Sequence, residues 1–234
     1  MGRSDLLPVP PNSMKFLLDK SPTYLLPKVK EYPDIIHGQF LSANRWQTYW
    51  GGSYAIDNGA YAGFSLDQFE RLLARQESHV GSCLFVVVPD VVCNARRTLE
   101  LWKYRYQFDM GDFPLAFVGQ NGIEDMEVPW DEMECYFVGG DDRWKMSKAS
   151  ADLVITAKAL GKHVHIGRVN SISRFMHFHE LGADTCDGSG VAKFEAAHQI
   201  FLGIRNELNN THPTLFDVLE DQDGEERDTK ARAV

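Results

Sequence analysis

The chain has 234 residues, of which 44% are hydrophobic and 24% charged, the balance of a single soluble globular domain rather than a disordered or membrane-embedded chain. No run approaches the roughly 20 apolar residues that cross a bilayer, and Met1–Pro11 lacks the basic-then-apolar order of a secretion signal, so a cytoplasmic protein without membrane contact is expected. The net charge of −9, of which residues 217–234 carry −4, excludes a broadly basic nucleic-acid surface and restricts any phosphate contact to local patches.

Residues 1–50 are rich in prolines and aromatics, with one clear strand candidate, Lys15–Leu18. Further strands are predicted at Ser53–Ile56, Leu84–Val88, Leu115–Val118, Cys135–Val138, His163–Ile166 and Ala183–Cys186. These runs are short, apolar and mostly not alternating, as strands buried on both faces of a parallel sheet are. Amphipathic segments lie between them. Ser65–Ser78 opens with Ser65 and Gln68 in capping-box spacing and sets Leu66, Phe69, Leu72 and Leu73 on one face. Helices are also predicted at Ala95–Phe108, Ala149–Leu160, Ser173–Leu181 and Phe194–Leu208, with Gly161 and Gly182 as C-terminal caps. Strands alternating with helices imply a parallel α/β sheet. Seven or eight strands favour a (β/α) barrel over an open doubly wound sheet, although pattern alone leaves closure open. Residues 1–208 read as this one domain and 209–234 as an acidic, disordered tail.

Polar residues and glycines follow nearly every strand: Asp57-Asn58-Gly59, Pro89-Asp90, Gly119-Gln120-Asn121-Gly122, Gly139-Gly140, Gly167-Arg168 and Asp187-Gly188-Ser189-Gly190. Any one of these is an ordinary turn. In a barrel, however, strand ends converge on the rim where active sites are built, and three of them carry aspartates, Asp57, Asp90 and Asp187. His163 and His165 form an H-x-H pair that, with a carboxylate, would suit a metal-dependent barrel hydrolase; packed or hydrogen-bonded histidines are the simpler reading. Cys83, Cys93, Cys135 and Cys186 are too scattered for a zinc cluster and read as reduced thiols. Among basic residues, Arg96 and Arg97 follow Asp90, Arg143 and Lys145 follow Gly140, and Arg168 follows Gly167. Beyond the rim they would meet a phosphate backbone.

The ordered motifs Asp57-Asn58-Gly59-Ala60-Tyr61, Val88-Pro89-Asp90, Val118-Gly119-Gln120, Val138-Gly139-Gly140, Ile166-Gly167 and Gly182-Ala183-Asp184-Thr185-Cys186-Asp187 resemble the tRNA-guanine transglycosylase superfamily, and particularly its short phage-type DNA-guanine transglycosylases. The resemblance implies a (β/α)8 TIM-like barrel, compact or slightly irregular, and exchange of guanine for a 7-deazaguanine such as preQ0. DNA is favoured as partner over tRNA, in the host cytoplasm if the protein is phage-encoded, and a homodimer is compatible with it. By the same resemblance Asp187 is the nucleophile at C1′ and Asp57 the general acid/base. Asp90 would read N1–H and the 2-amino group, while Gln120 and the Gly139 and Gly140 backbone read the other edge. Asn58 stands in the base site where a serine is usual, and Ile166 would stack on the ring. The family's C-x-C-x-x-C zinc site is absent from the sequence, so neither metal nor cofactor is expected. A carboxylate beside C1′ suits an oxocarbenium-like transition state, and a base must leave its stack to be read in such a pocket.

Overall fold

The computed structural model describes residues 13–188 and 194–211. Eight parallel strands close into a barrel in sequence order: β1 Lys15–Leu18, β2 Ile36–Ser42, β3 Tyr54–Asp57, β4 Cys83–Val87, β5 Leu115–Gly119, β6 Cys135–Val138, β7 His163–Ile166 and β8 Thr185–Cys186. Around them lie α1 Pro22–Glu31, α2 Leu66–Gln76, α3 Ala95–Lys103, α4 Asp142–Lys145, α5 Lys148–Ala159, α6 Ile172–Glu180 and α7 Phe194–Thr211. The fold is a (β/α)8 barrel with two irregular connections. No α-helix joins β2 to β3, and two 3-10 turns stand between β5 and β6. Among the described residues no helix is long and apolar enough to cross a membrane.

Strand alternation divides the core in two. Phe16, Ile56, Phe117, Tyr136, Val164 and Ile166 face outward and pack under the helices with Phe69, Phe175, Phe178 and Phe201. Leu17, Phe40, Ala55, Phe85, Val87, Ala116, Val118 and Cys135 fill the barrel interior. Gly161 and Gly182 take left-handed φ of 71° and 82° as the glycines past α5 and α6. α3, α4, α5 and α6 are capped by the side chains of Asn94, Asp141, Ser147 and Ser171. The expected capping box on α2 does not form: Ser65 makes no side-chain cap bond, and Leu66 is exposed beside the buried Phe69, Leu72 and Leu73. The helix after β8 runs through Thr211 and so passes the expected boundary at 208. Residues 212–234, with most of the expected tail, lie outside the described residues, as do Ser189 and Gly190.

The sequence reading missed β2 and α1. β2 reads Ile-His-Gly-Gln-Phe-Leu-Ser, and its polar centre hides a strand that the tertiary structure requires. A Cβ at Gly38 would fall 2.0 Å from the Ser53 carbonyl oxygen, so only glycine lets the two backbones meet. Gln39 next to it is buried and fully bonded. Its Nε2 donates to the Lys20 and Thr48 carbonyls at 2.8 and 3.0 Å, and its Oε1 accepts from the Trp50 N–H at 3.1 Å. That one amide ties down the helix-free connection. Gly38→Ala is therefore expected to cost about 3 kcal/mol, at the upper end of overpacking, measured as a lower denaturation midpoint in urea at unchanged slope.

Candidate active site

The C-terminal ends of the strands enclose a cavity of about 220 Å³, somewhat more than the ~150 Å³ that accommodates a single benzene ring. Its wall includes Asp57, Asn58, Asp90, Gln120, Gly139, Gly140, Lys145, Arg168 and Asp187, together with Phe40, Val87, Val118, Phe137 and Tyr61. Three rim aspartates expected from the sequence thus share one small pocket with apolar walls.

Asp57 ends β3 and is held by its desolvated position. Burial pushes its carboxyl up from 3.8 to about 7, against a hydrogen bond from the Gly59 N–H, and the nearby Asp187 and Asp90 push the same way. Asp57 therefore exchanges its proton near neutrality, the condition of a general acid/base.

Asp90 is also raised, by burial first, against hydrogen bonds from Asn58 and Gln120. Asn58 Nδ2 donates to its Oδ1 at 2.8 Å and to the Val88 carbonyl at 2.9 Å; Gln120 Nε2 donates to its Oδ2 at 2.6 Å. Gln120 Oε1 accepts from the N–H groups of Cys93 and Gly140, both at 2.7 Å. The Gly139 N–H donates to the Gly119 carbonyl. In this arrangement Asn58, Gln120 and the two glycines hold Asp90 and the loops in place, with their donors already engaged. Each Asp90 oxygen keeps a further lone pair for donors entering the cavity.

Asp187 follows β8. Its Oδ1 accepts from the Arg168 N–H at 3.0 Å and faces His165 Nε2 at 3.3 Å. Arg168 adopts a left-handed φ of 60°, a conformation costing a non-glycine residue about 1–3 kcal/mol. Its guanidinium donates to the Gly140 carbonyl at 2.7 Å and lies over the Tyr61 ring at 4.8 Å, across the pocket mouth.

Several expected placements are corrected. Ile166 is fully buried but faces the helices, not the cavity. Alternation makes this unavoidable, since His165 on the same strand points inward. The apolar cavity wall comes instead from Phe40, Val87, Val118 and Phe137. Lys145 is no surface base; it is wholly buried, and its Nζ donates to the Gly167 carbonyl. Arg168 is a pocket residue, whereas Arg96, Arg97 and Arg143 are exposed and line no part of the cavity. His163 and His165 both bond Thr185 Oγ1, and among the described residues no His, Cys, Asp and Glu group has metal-holding geometry. Sequence reasoning missed Phe40, because β2 went unseen, and the pocket role of Lys145. A lysine two residues beyond an arginine carries no signal of burial.

No protein-family model and no curated protein matches the sequence. Solved structures of similar fold include the tryptophan synthase α2β2 complex of Pyrococcus furiosus, at 13% identity over 85% of this chain and 96% of that one, with a TM-score of 0.48. A mutant α-subunit from the same organism matches at 13% identity over 85% and 96%, TM-score 0.49. At this identity the likeness is one of fold. The expected guanine base exchange, on DNA or on tRNA, is corrected: Gln120 Nε2 and the Gly139 and Gly140 N–H groups assigned to the base edge are bonded within the protein. The metal-dependent hydrolase falls with the bonded histidines.

Proposed function

We propose that the chain is an enzyme of glycosyl chemistry that takes a nucleoside-sized small molecule. Its planar heterocycle would enter the cavity with adjacent N–H donors on Asp90, and the bond from ring nitrogen to sugar would be cleaved. The carrying observation is one pocket that holds both Asp57, whose carboxyl burial raises to about 7, and Asp187, whose Oδ1 accepts from the Arg168 N–H and faces His165 Nε2. A carboxyl raised towards neutrality suits an acid, and a second carboxyl held by donors in the same pocket suits a base or nucleophile.

In the mechanism Asp57 gives its proton to the departing heterocycle, which leaves neutral. Asp187 faces the sugar carbon and stabilises the positive charge that develops there, as a carboxylate does in glycoside cleavage. Asp57, now ionised, accepts the proton of the water or alcohol that attacks next. The apolar walls of Phe40, Val87, Val118 and Phe137 exclude bulk water and strengthen each of these interactions.

Guanosine and inosine test this reading, since they differ by the 2-amino group alone. Guanosine is expected to bind about 10–100-fold more tightly, the worth of one hydrogen bond to a carboxylate, and Asp90→Asn should erase most of that preference in calorimetry. Release of free base by the wild type, followed chromatographically, should fall about 10²–10⁴-fold in Asp57→Asn and vanish in Asp187→Asn. Equal binding of the two nucleosides, or undiminished release by Asp187→Asn, would sink the proposal.

A further inference from the structure

β7 and β8 lie side by side with His165 in register with Thr185. Residues two apart on a strand share a face, so His163 and His165 on one strand and Thr185 and Asp187 on the other project into the barrel together. Their side chains form a continuous file. His163 Nε2 lies 2.7 Å from Thr185 Oγ1, Thr185 Oγ1 lies 2.9 Å from His165 Nδ1, and His165 Nε2 lies 3.3 Å from Asp187 Oδ1. The His165 ring is fully buried and packs among Phe40, Phe85 and Phe137 at centroid distances of 5.3, 5.0 and 4.7 Å. Burial holds both imidazoles neutral; His163 is lowered to about 4.

Neutral rings leave one direction for the bonds. A carboxylate only accepts, so His165 Nε2 carries the hydrogen and donates. His165 Nδ1 is then a lone pair, and the Thr185 hydroxyl must donate to it. The Thr185 oxygen in turn accepts from His163 Nε2–H. We propose that His163, Thr185 and His165 form a one-directional hydrogen-bond file whose task is to present a fixed N–H donor to Asp187 from beneath the pocket. His165 is thus a positioning residue, and Thr185 and His163 set its tautomer and ring angle. A purely apolar interior would pack as well, and Asp187 Oδ1 would then keep the Arg168 N–H but lose its donor from beneath. The catalytic meaning of the file rests on the reading of Asp187 given above, whereas its direction does not.

Other charged groups near Asp187 come from the neighbouring elements: Asp19 after β1, Asp57 after β3 and Lys145 in α4. The test therefore has to isolate the file. Protein labelled with ¹⁵N in histidine and ¹³C in the aspartate carboxyls serves, with His163→Gln and Asp187→Asn providing assignments. At pH 7 both rings are expected as neutral Nε2–H tautomers. Thr185→Val should move the His165 Nδ1 resonance to that of an unbonded nitrogen, and Thr185→Ser should restore it. His165→Phe, which suits the surrounding rings, should shift the Asp187 carboxyl ¹³C resonance at pH 7 through loss of its donor. An Nδ1–H or cationic His165 in the wild type, a Thr185→Val protein with unchanged ring resonances, or an unmoved Asp187 carboxyl resonance in His165→Phe overturns the proposal. These readouts need no substrate, so the file can stand if nucleoside cleavage fails, and the reverse.

Discussion

With Asp57 replaced by asparagine, the protein is expected to gain up to about 4 kcal/mol of stability above pH 7 and close to nothing at pH 4. Folding holds this carboxyl at about 7 against 3.8 for a free aspartate. A carboxyl raised in the folded state binds more protons there than in the unfolded chain. Its ionised form therefore carries a cost that is fully present above the folded value, declines as pH falls towards 3.8, and is absent once both states are protonated. At about 1.4 kcal/mol per pH unit the gap amounts to about 4 kcal/mol. Asparagine keeps the shape, carries no charge, and can still accept from Gly59. Urea denaturation of both proteins at pH 8.5, 6 and 4 measures the difference. A gain independent of pH, or one that grows on acidification, would mean that Asp57 is not held protonated by its surroundings.

Lys145→Met is the second large effect, with the opposite dependence on pH. Burial, reinforced by the nearby Arg168, lowers the Lys145 ammonium from 10.5 to about 8. Here the folded value lies below the unfolded one, so the cost of the charged form is complete below pH 8 and disappears between 8 and 10.5. Its size is about 3 kcal/mol. The substitution also strands the Gly167 carbonyl that accepts from Nζ, returning about 1 kcal/mol. A net gain of about 2 kcal/mol at pH 7, turning into a loss of up to about 1 kcal/mol by pH 10.5, is expected in denaturation curves recorded at both values. Destabilisation at pH 7 would show that the amine is retained for packing and its hydrogen bond rather than against a folding cost. Both substitutions stabilise by removing a desolvated charge from the same pocket, which is the signature of groups kept for chemistry.

The strand ends show how much of this site was legible beforehand. Asp57, Asp90 and Asp187 each follow an apolar run, and a barrel brings all such ends to one rim whatever its loops do. Their convergence on one cavity follows from topology, and topology follows from the alternation of strands and helices. Side-chain roles were less legible. Gln120 and Asn58 were expected to face a ligand, yet their amides bond Asp90, because a buried carboxylate needs donors and these were the nearest. Ile166 was expected in the pocket, but the phase of β7 turns it outward. Lys145 looked like a surface base until the packing around α4 buried it.

By itself, then, the sequence determined the parallel α/β architecture, seven of the eight strands and the three rim aspartates, since hydrophobic period and strand-end chemistry are local properties. Only the tertiary structure decided the closure of the barrel and the existence of β2, where Gly38 and Gln39 answer to Ser53, Lys20, Thr48 and Trp50 rather than to their neighbours in sequence. It alone decided which face of β7 looks inward, the file from His163 to Asp187, and the raised proton affinity of Asp57. Those depend on desolvation and on contacts between residues far apart in the chain, and no local pattern encodes either.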